Sequence, residues 1–292
     1  MKEAKSKKNP LITLWLVLLL AACSKQPIQE NRIMVTIEPQ RYFARQLTDS
    51  LFEIITLVPL GSSPESYDPA PREMAQLAQS KAYFCIGHIG FENAWLDRLK
   101  SNNPQVLFFD NSQGIDWIHG DHPDGETGRD WHAHIDPHTW PSPVEARIIV
   151  RNMYDAISEI DPEHTEIYRK NLEKLQSEID ETDRIVRAYL NHSSQKAFII
   201  YHPALTYFAR DYGLTQYAIE TEGKEPSPEQ LKQIVDLVKK ESIRTVFIQQ
   251  EFDRKNAEII ARETGCRLEV INLLTYHWSE EVIRIAKILS DE

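Results

Sequence analysis

The feature that most constrains the fold is an alternation of short apolar runs with amphipathic stretches of helical length, which occurs in both halves of the chain. The runs of strand length are residues 33–37, 52–60, 82–86, 105–109, 196–201, 216–219, 245–248 and 268–271. Alternation of this kind predicts parallel strands covered by helices. We therefore expect an α/β fold with two lobes, each a four-stranded parallel sheet flanked by helices.

A long amphipathic stretch separates the two halves and predicts one linker helix over residues 161–191. Its apolar positions step by three and four residues, with Thr182 as the weak step, and they are Tyr168, Leu172, Leu175, Ile179 and Val186. About 28 helical residues reach about 40 Å, which is enough to cross a molecule with two lobes. A coiled-coil dimer is the alternative, but the apolar seam lasts only about three or four heptads. We expect a monomer with lobes at residues 32–160 and 192–292.

Residues 1–22 have the pattern of an export signal, because four lysines precede an apolar run over residues 11–22. That run is too short to span a membrane comfortably. It ends in Leu-Ala-Ala-Cys at Cys23, which resembles the bacterial lipobox, whose cysteine becomes the lipidated first residue after cleavage. We expect residues 23–31 to be a tether whose lipid holds the protein on the periplasmic or extracellular face of a bacterial membrane, in the cell envelope. A simple secretory signal with an incidental cysteine is the alternative.

Charge and cysteine content exclude several kinds of site. The net charge of −11 argues against a nucleic-acid partner, because no basic face dominates. Among the three cysteines there is no Cys-x-x-Cys pair, which excludes a thiolate zinc knuckle and a dithiol redox motif. Cys85 and Cys266 are predicted to be buried structural thiols.

Histidine is concentrated in one polar stretch. Residues 118–140 hold five of the ten histidines, namely His119, His122, His132, His134 and His138. Residues 118–136 lack the apolar side chains of a strand or a core helix, so they are predicted to form a His-rich loop. Such a composition is typical of metal binding, and the first four histidines are expected to bind extra ions weakly. A solvated polar loop without a role is the alternative.

Further side chains that ligate metals lie in loops of both halves, most of them just after predicted strands. They are Glu65, His138, His202, Asn272 and His277. Ligands bind beyond the carboxyl ends of parallel strands, so we expect these side chains to converge on one divalent ion between the lobes. Their wide separation does not suit a local zinc finger. Each one alone is better explained as a solvated loop residue or a helix cap, so the hypothesis depends on their common placement.

Three segments resemble the zinc- and manganese-uptake substrate-binding proteins of bacterial ABC transporters. They read Gly-Ser-Ser-Pro-Glu-Ser-Tyr-Asp-Pro-Ala-Pro at residues 61–71, Asp-Pro-His-Thr-Trp at 136–140 and Tyr-His-Pro-Ala at 201–204. Weaker likeness at residues 91–96, 207–209 and 246–248 extends the resemblance over the mature chain. The resemblance implies two βα lobes joined by a rigid helix, and a His-rich loop of the zinc-binding branch. It also implies a receptor that delivers its ion to an ABC transporter permease.

The resemblance carries the family's ligand positions onto Glu65, His138 and His202. The first ligand in the family is usually a histidine, where this chain has Glu65. The fourth is usually an aspartate and matches Asn272, a poor ligand, so His277 is an alternative and the fourth ligand stays open. One carboxylate with two or three imidazoles favours Zn²⁺, whereas Mn²⁺ prefers more oxygen ligands. Zinc affinity should fall as the pH drops through the histidine range.

Two other functions remain open from the sequence. A metallohydrolase needs a general base beside the metal, and Glu251 is the only residue we would name for it. The chain has no His-Glu-x-x-His or Gly-x-Ser-x-Gly motif, so Glu251 is better explained as a carboxylate beside the ligands or on the surface, and we expect no enzyme. A surface adhesin using the same fold, or a receptor for manganese or another divalent metal, is the second alternative.

Overall fold

The computed structural model describes residues 29–119, 135–220 and 224–290. The predicted export signal, most of the predicted tether and four predicted site residues lie outside this part of the chain, namely Cys23, His122, His132 and His134. Residues 29–31, expected in the tether, instead open the first strand, where Gln29 pairs with Ser80. Within the described residues, no helix is both long enough and apolar enough to cross a lipid bilayer.

The N-terminal lobe is built around a parallel sheet. Its strands are β1 (Gln29–Val35), β2 (Glu53–Thr56), β3 (Ser80–Cys85) and β4 (Leu107–Asp110), paired in the order β2-β1-β3-β4. Its helices are α1 (Glu38–Thr48), α2 (Pro71–Ala78) and α3 (Gly90–Asn102), followed by α4 (Pro143–Ile160). The central strands β1 and β3 are buried on both faces, as expected for a parallel sheet with helices on each side.

The predicted linker helix is present as α5 (Thr165–Asn191). It begins slightly later than expected, because residues 162–164 form a single 3-10 turn after Asp161. The weak step of its apolar seam, Thr182, is buried, and its hydroxyl donates a hydrogen bond of 2.9 Å to the Glu178 carbonyl. The polar side chain is therefore satisfied within the helix and does not interrupt the seam.

The C-terminal lobe repeats the architecture of the first. Its strands are β5 (Ala197–Ile200), β6 (Thr215–Ala218), β7 (Thr245–Gln249) and β8 (Arg267–Ile271), in the order β6-β5-β7-β8. Its helices are α6 (Thr206–Tyr212), α7 (Pro228–Lys240), α8 (Lys255–Thr264) and α9 (Trp278–Ser290). Both sheets are parallel and share one strand order, so the predicted fold class is confirmed.

The two lobes share one hydrophobic core around the linker helix. α5 packs against α1 and α4 on one side and against α9 on the other. Two buried tryptophans add polar links near the sheet edges. The Trp140 indole donates to the Leu273 carbonyl at 2.8 Å, and the Trp278 indole donates to the Trp140 carbonyl at 2.6 Å. These links join the loop after His138 directly to the other lobe.

Candidate metal centre

Three predicted ligands converge between the lobes. Glu65 lies on the loop between β2 and α2, His138 lies on the segment that leads into α4, and His202 follows β5. One ligand atom from each of these residues lies within 4.8 Å of the other two. The structure thus brings together residues from both lobes that are far apart in the sequence.

The spacing of these ligand atoms fits one small cation. His138 Nε2 lies 3.3 Å from Glu65 Oε1 and 3.2 Å from His202 Nε2. A tetrahedral zinc ion with bonds of about 2.0 to 2.1 Å holds neighbouring ligand atoms about 3.3 to 3.4 Å apart. The two distances are therefore close to those between adjacent corners of a zinc coordination tetrahedron.

The orientation of His138 is fixed by Asp136. Asp136 Oδ1 accepts hydrogen bonds from the His138 backbone N–H at 2.9 Å and from Nδ1 at 2.8 Å. Because the carboxylate can only accept, Nδ1 carries a proton and Nε2 points towards Glu65 and His202. The Asp136 carbonyl in turn accepts a hydrogen bond of 2.9 Å from Tyr207 on α6. A carboxylate behind an imidazole is the usual support of a metal-binding histidine.

His202 has an equivalent support from the C-terminal sheet. Its Nδ1 lies 3.1 Å from Glu220 Oε1, just after the neighbouring strand β6. Gln249, the last residue of β7, donates to the His202 carbonyl at 2.6 Å and accepts from its N–H at 3.3 Å. The Phe252 ring stacks on the imidazole, with ring centroids 5.2 Å apart. These contacts fix the backbone, the ring plane and the tautomer of His202, so that its Nε2 atom faces the cleft.

Glu65 is placed by the start of α3. Its Oε2 accepts a hydrogen bond of 3.1 Å from the Gly90 N–H, while its buried Oε1 accepts no hydrogen bond from the residues that the structure describes. A Cβ on Gly90 would lie 2.2 Å from the Glu65 carbonyl oxygen and 2.8 Å from Oε2. Glycine is therefore required for this close approach. The unsatisfied Oε1 atom is the one that faces His138, which is the expected geometry of a ligand oxygen.

The charges of these groups are strongly coupled. Burial alone would lower the pKa of His138, but the adjacent carboxylates of Asp136 and Glu65 raise it to about 10. Burial alone would raise the pKa values of Glu65 and Asp136, but the neighbouring His138 outweighs burial and lowers both. At neutral pH His138 is thus an imidazolium between two carboxylates, and its Nε2 proton lies where a cation would bind.

The space between the three side chains is small and mostly apolar. Its volume is about 10 Å³, which is enough for one sphere of the size of a water molecule. Trp140, Phe252, Leu273 and Leu274 contribute apolar walls. Glu251 lines the same cleft, and burial raises the pKa of its carboxyl. The dimensions suit a single metal ion.

Two predicted ligands lie elsewhere. The Asn272 side chain accepts a hydrogen bond of 3.1 Å from the Leu274 N–H, which uses its oxygen to form the turn after β8. The His277 side chain is 69% exposed, and its Nδ1 lies 3.5 Å from Glu280. Neither residue joins the cluster of ligand atoms. His277 faces solvent because the next residue, Trp278, occupies the buried position at the start of α9.

The base of the His-rich loop is well defined. His119 and Ile135 form an antiparallel bridge, and the Asp136 N–H donates to the Ile118 carbonyl at 2.9 Å. The Tyr207 hydroxyl accepts a hydrogen bond of 3.0 Å from the Ile118 N–H. The loop therefore leaves and re-enters the fold directly beside Asp136, two residues before His138.

Several residues of the site were missed by the sequence analysis. Asp136 and Glu220 support the two imidazoles, and Gly90 supports Glu65. The Asp-Pro-His spacing was a usable signal for Asp136, because an aspartate two residues before a backbone N–H commonly accepts its hydrogen bond. Glu220 had a weaker signal, since it follows a strand predicted to end beside His202. Nothing local in the sequence pairs Gly90 with Glu65.

Comparison with known proteins gives a consistent result. The sequence profile of the family described as zinc-uptake complex component A, periplasmic (ZnuA), matches residues 33–281. The high-affinity zinc uptake system protein ZnuA of Bacillus subtilis (strain 168) is 26% identical, over 88% of this chain and 85% of its own length. The zinc-binding lipoprotein AdcA of Streptococcus pneumoniae (strain R6) is 29% identical over 88% of this chain. The alignment spans about half of AdcA, 53% of its length.

The fold has a close counterpart among solved structures. A crystal structure of ZnuA superposes with a TM-score of 0.82 and 32% sequence identity. The superposition covers 91% of this chain and 98% of the other.

Proposed function

Because this chain belongs to the ZnuA family of periplasmic zinc-uptake components, we propose that it captures one zinc ion between its lobes and delivers it to an ABC transporter for uptake. Glu65, His138 and His202 are the proposed ligands. The relatives named above as zinc-uptake and zinc-binding proteins support this assignment.

One observation carries the proposal, namely the spacing of the three ligand atoms. Separations of 3.3 Å and 3.2 Å around His138 Nε2 match the edges of a zinc tetrahedron. Two imidazoles and one carboxylate also favour zinc over manganese, which takes more oxygen ligands. Both imidazoles have their second nitrogen engaged by a carboxylate, which raises their basicity as ligands.

We further propose that the protein is a monomer held in the cell envelope by lipid on Cys23. The name of AdcA as a lipoprotein and the Leu-Ala-Ala-Cys sequence support the anchor. The loop that contains His119, His122, His132 and His134 would bind additional ions weakly and raise their local concentration. Its position supports this role, because its base lies beside Asp136.

Metal analysis tests the binding part of the proposal. The lipid-free protein, purified without chelators, should contain one zinc ion per chain, and zinc should displace bound manganese. A competitive titration with a chromogenic chelator should give a tight site that His138→Ala removes. No tight site in the parent protein, or equal binding by His138→Ala, would contradict the proposal.

Growth tests the delivery part. Deleting the gene in the producing bacterium should slow growth when zinc is restricted, and added zinc but not added manganese should restore it. Unchanged growth with unchanged zinc uptake would favour the surface adhesin over the uptake receptor.

A further inference from the structure

We propose that Glu251 is the fourth ligand of the bound zinc ion and that its carboxylate turns inward from the C-terminal lobe when the ion enters the cleft. This inference rests on the proposed function, because it concerns how the same site completes its coordination. It replaces Asn272 and His277, the two residues that the sequence suggests for this position.

The need for a further ligand follows from the chemistry of zinc. Zinc takes four ligands in a tetrahedral arrangement, and the structure brings three protein ligands together. The Asn272 oxygen is used in the turn after β8, and His277 faces solvent. Among the described residues that line the cleft, Glu251 is the one other side chain with a nitrogen, oxygen or sulfur atom that zinc commonly takes.

The fold holds Glu251 close to a ligand. β7 is a neighbour of β5 in the sheet, and Glu251 comes two residues after the end of β7, at Gln249. The Gln249 side chain forms hydrogen bonds with both the N–H and the carbonyl of His202. Phe252, the residue after Glu251, stacks on the same imidazole. Glu251 is thus fixed on both sides by neighbours that contact His202.

Within the described parts of the chain, no lysine or arginine forms an ion pair with Glu251 that would hold its carboxylate away from the ion. The residue is also largely withdrawn from solvent. A carboxylate withdrawn from water without a counter-charge is costly, and a bound cation offsets that cost. Together with Glu65 it would supply two negative charges to a doubly charged ion.

A movement of the side chain is required. The Glu251 carboxylate is not among the ligand atoms that lie within 4.8 Å of one another. Glutamate has three side-chain torsions, so its carboxylate can move by several ångströms without a change in the backbone. The ion would therefore draw a side chain of the C-terminal lobe onto a site whose first two ligands belong to the N-terminal lobe.

The consequence for selectivity is specific. With Glu251 the site has two carboxylates and two imidazoles, whereas without it the site keeps a single carboxylate and a solvent ligand. Carboxylate oxygens are the ligands that Mn²⁺ prefers, so removal of Glu251 should weaken manganese binding along with zinc binding.

The test compares four proteins: the parent, Glu251→Gln, Glu251→Asp and the control Glu258→Gln. Glu258 is an exposed residue of α8 that pairs with Arg254, so its variant removes the same charge from the same lobe. Chelator competition should give a zinc dissociation constant at least about 100-fold weaker for Glu251→Gln, the upper end of what loss of an outer partner costs. Glu258→Gln should have the same zinc dissociation constant as the parent.

Glu251→Asp keeps the negative charge but has a shorter side chain. If Glu251 is a ligand, this variant should bind zinc more weakly, whereas a purely electrostatic role predicts parental affinity.

A second readout reports the coordination itself. In the cobalt-loaded parent, added azide should leave the visible d–d spectrum unchanged, because protein atoms hold all four positions. In cobalt-loaded Glu251→Gln, azide should replace a solvent ligand and change the spectrum. The same azide response in both proteins, or a Glu251→Gln dissociation constant within twofold of the parent, would overturn the inference. Failure of the parent to bind zinc tightly would instead overturn the proposed function.

Discussion

The two lobes hold their proposed ligands in different ways. In the C-terminal lobe, His202 lies just after the inner strand β5. Gln249 donates a hydrogen bond to its carbonyl and accepts one from its N–H, and Glu220 lies behind its ring. In the N-terminal lobe, Glu65 and His138 lie on loops, and each depends on one or two local hydrogen bonds, from Gly90 and to Asp136. The C-terminal ligand is positioned by the fold, whereas the N-terminal ligands are positioned by single partners.

This difference indicates where the site is vulnerable. Loss of a partner in the N-terminal lobe should release a ligand side chain, because Gly90 and Asp136 are the partners that orient the Glu65 carboxylate and the His138 ring themselves. Loss of a partner in the C-terminal lobe should leave the imidazole near its position, since the backbone and the stacked Phe252 remain. Substitutions of the proposed ligands and of their partners in each lobe test this contrast.

The largest effect should come from removing a ligand in either lobe. Structural zinc sites bind their ion with a free energy of about 10 to 16 kcal/mol, shared among four ligands. One ligand therefore contributes roughly 3 kcal/mol, which is about 100-fold in affinity. His138→Ala and His202→Ala should each weaken zinc binding by at least that factor in a chelator competition assay. If either variant bound zinc as tightly as the parent, the shared site would be disproved. His192→Ala, an exposed histidine after α5, is the control.

Removing the carboxylates behind the imidazoles separates the lobes. Loss of such a partner typically costs about 10- to 100-fold in metal affinity. Asp136→Asn should lower zinc affinity by about 100-fold, because Asp136 holds both the backbone and the ring of His138. Glu220→Gln should lower zinc affinity by only about tenfold, because Gln249 and Phe252 still hold His202.

The control for both carboxylates is Asp155→Asn, which changes an exposed residue of α4 paired with Arg151. It should leave zinc affinity unchanged. Equal losses from Asp136→Asn and Glu220→Gln would remove the proposed difference between the lobes.

The pH dependence should be set by His138. Its pKa in the metal-free protein is raised to about 10, so zinc binding near neutral pH must displace a proton from it. Affinity should then rise about tenfold per pH unit up to that value for each proton displaced. Isothermal titration in buffers of different ionisation enthalpy should show release of about one proton or more at pH 7.5. Proton release that is absent at pH 7.5 would mean that His138 is already neutral.

The same shift has a consequence for stability. The folded-state pKa of His138 lies above the unfolded value of 6.5, so its contribution to metal-free stability is fully present below that pH. The contribution is lost as the pH rises through about 10. Denaturant unfolding of the metal-free protein should therefore show a decline between these values that His138→Ala lacks. A decline of equal size in the variant would assign it to other groups.

The smallest effect is expected from Gly90→Ala. The new methyl group would lie 2.2 Å from the Glu65 carbonyl oxygen and 2.8 Å from Oε2, so the loop must shift and the ligand oxygen with it. Overpacking of this kind costs about 1 to 3 kcal/mol of stability, and we expect a loss of roughly tenfold in zinc affinity. Thermal melting and chelator competition measure the two effects. Ser101→Ala on the exposed face of the same helix should change neither, and parental zinc binding by Gly90→Ala would show that Glu65 is held by other contacts.

Much of the architecture could be predicted from the sequence. Strand-length runs such as residues 245–248 contain only side chains that are buried in the sheet, so their pattern is set by the fold. The seam of α5 was equally readable, because Leu172, Leu175 and Ile179 must face one core. The exact ends of the helices could not be predicted from the sequence. The start of α5 at Thr165, for example, depends on a local 3-10 turn.

The site could be predicted only in part. Glu65 and His202 lie in loops that follow predicted strands, and the resemblance to a known family marked Glu65, His138 and His202 as ligand positions. The fourth position could not be read from the sequence after β8, because the direction of a side chain at a helix start depends on its neighbours. There Trp278 fills the core and turns His277 outward. The pH range over which zinc affinity should fall also differs from the one predicted from the sequence. An ordinary histidine has a pKa near 6.5, whereas the two carboxylates beside His138 raise its pKa to about 10.

The most direct test of the shared site is an anomalous difference map of the zinc-loaded protein, measured at the zinc absorption edge. The account predicts one strong peak between the lobes, within about 2.0 to 2.2 Å of Glu65, His138 Nε2 and His202 Nε2. A strong peak elsewhere with none at this position, or a peak that touches residues of one lobe alone, would contradict it.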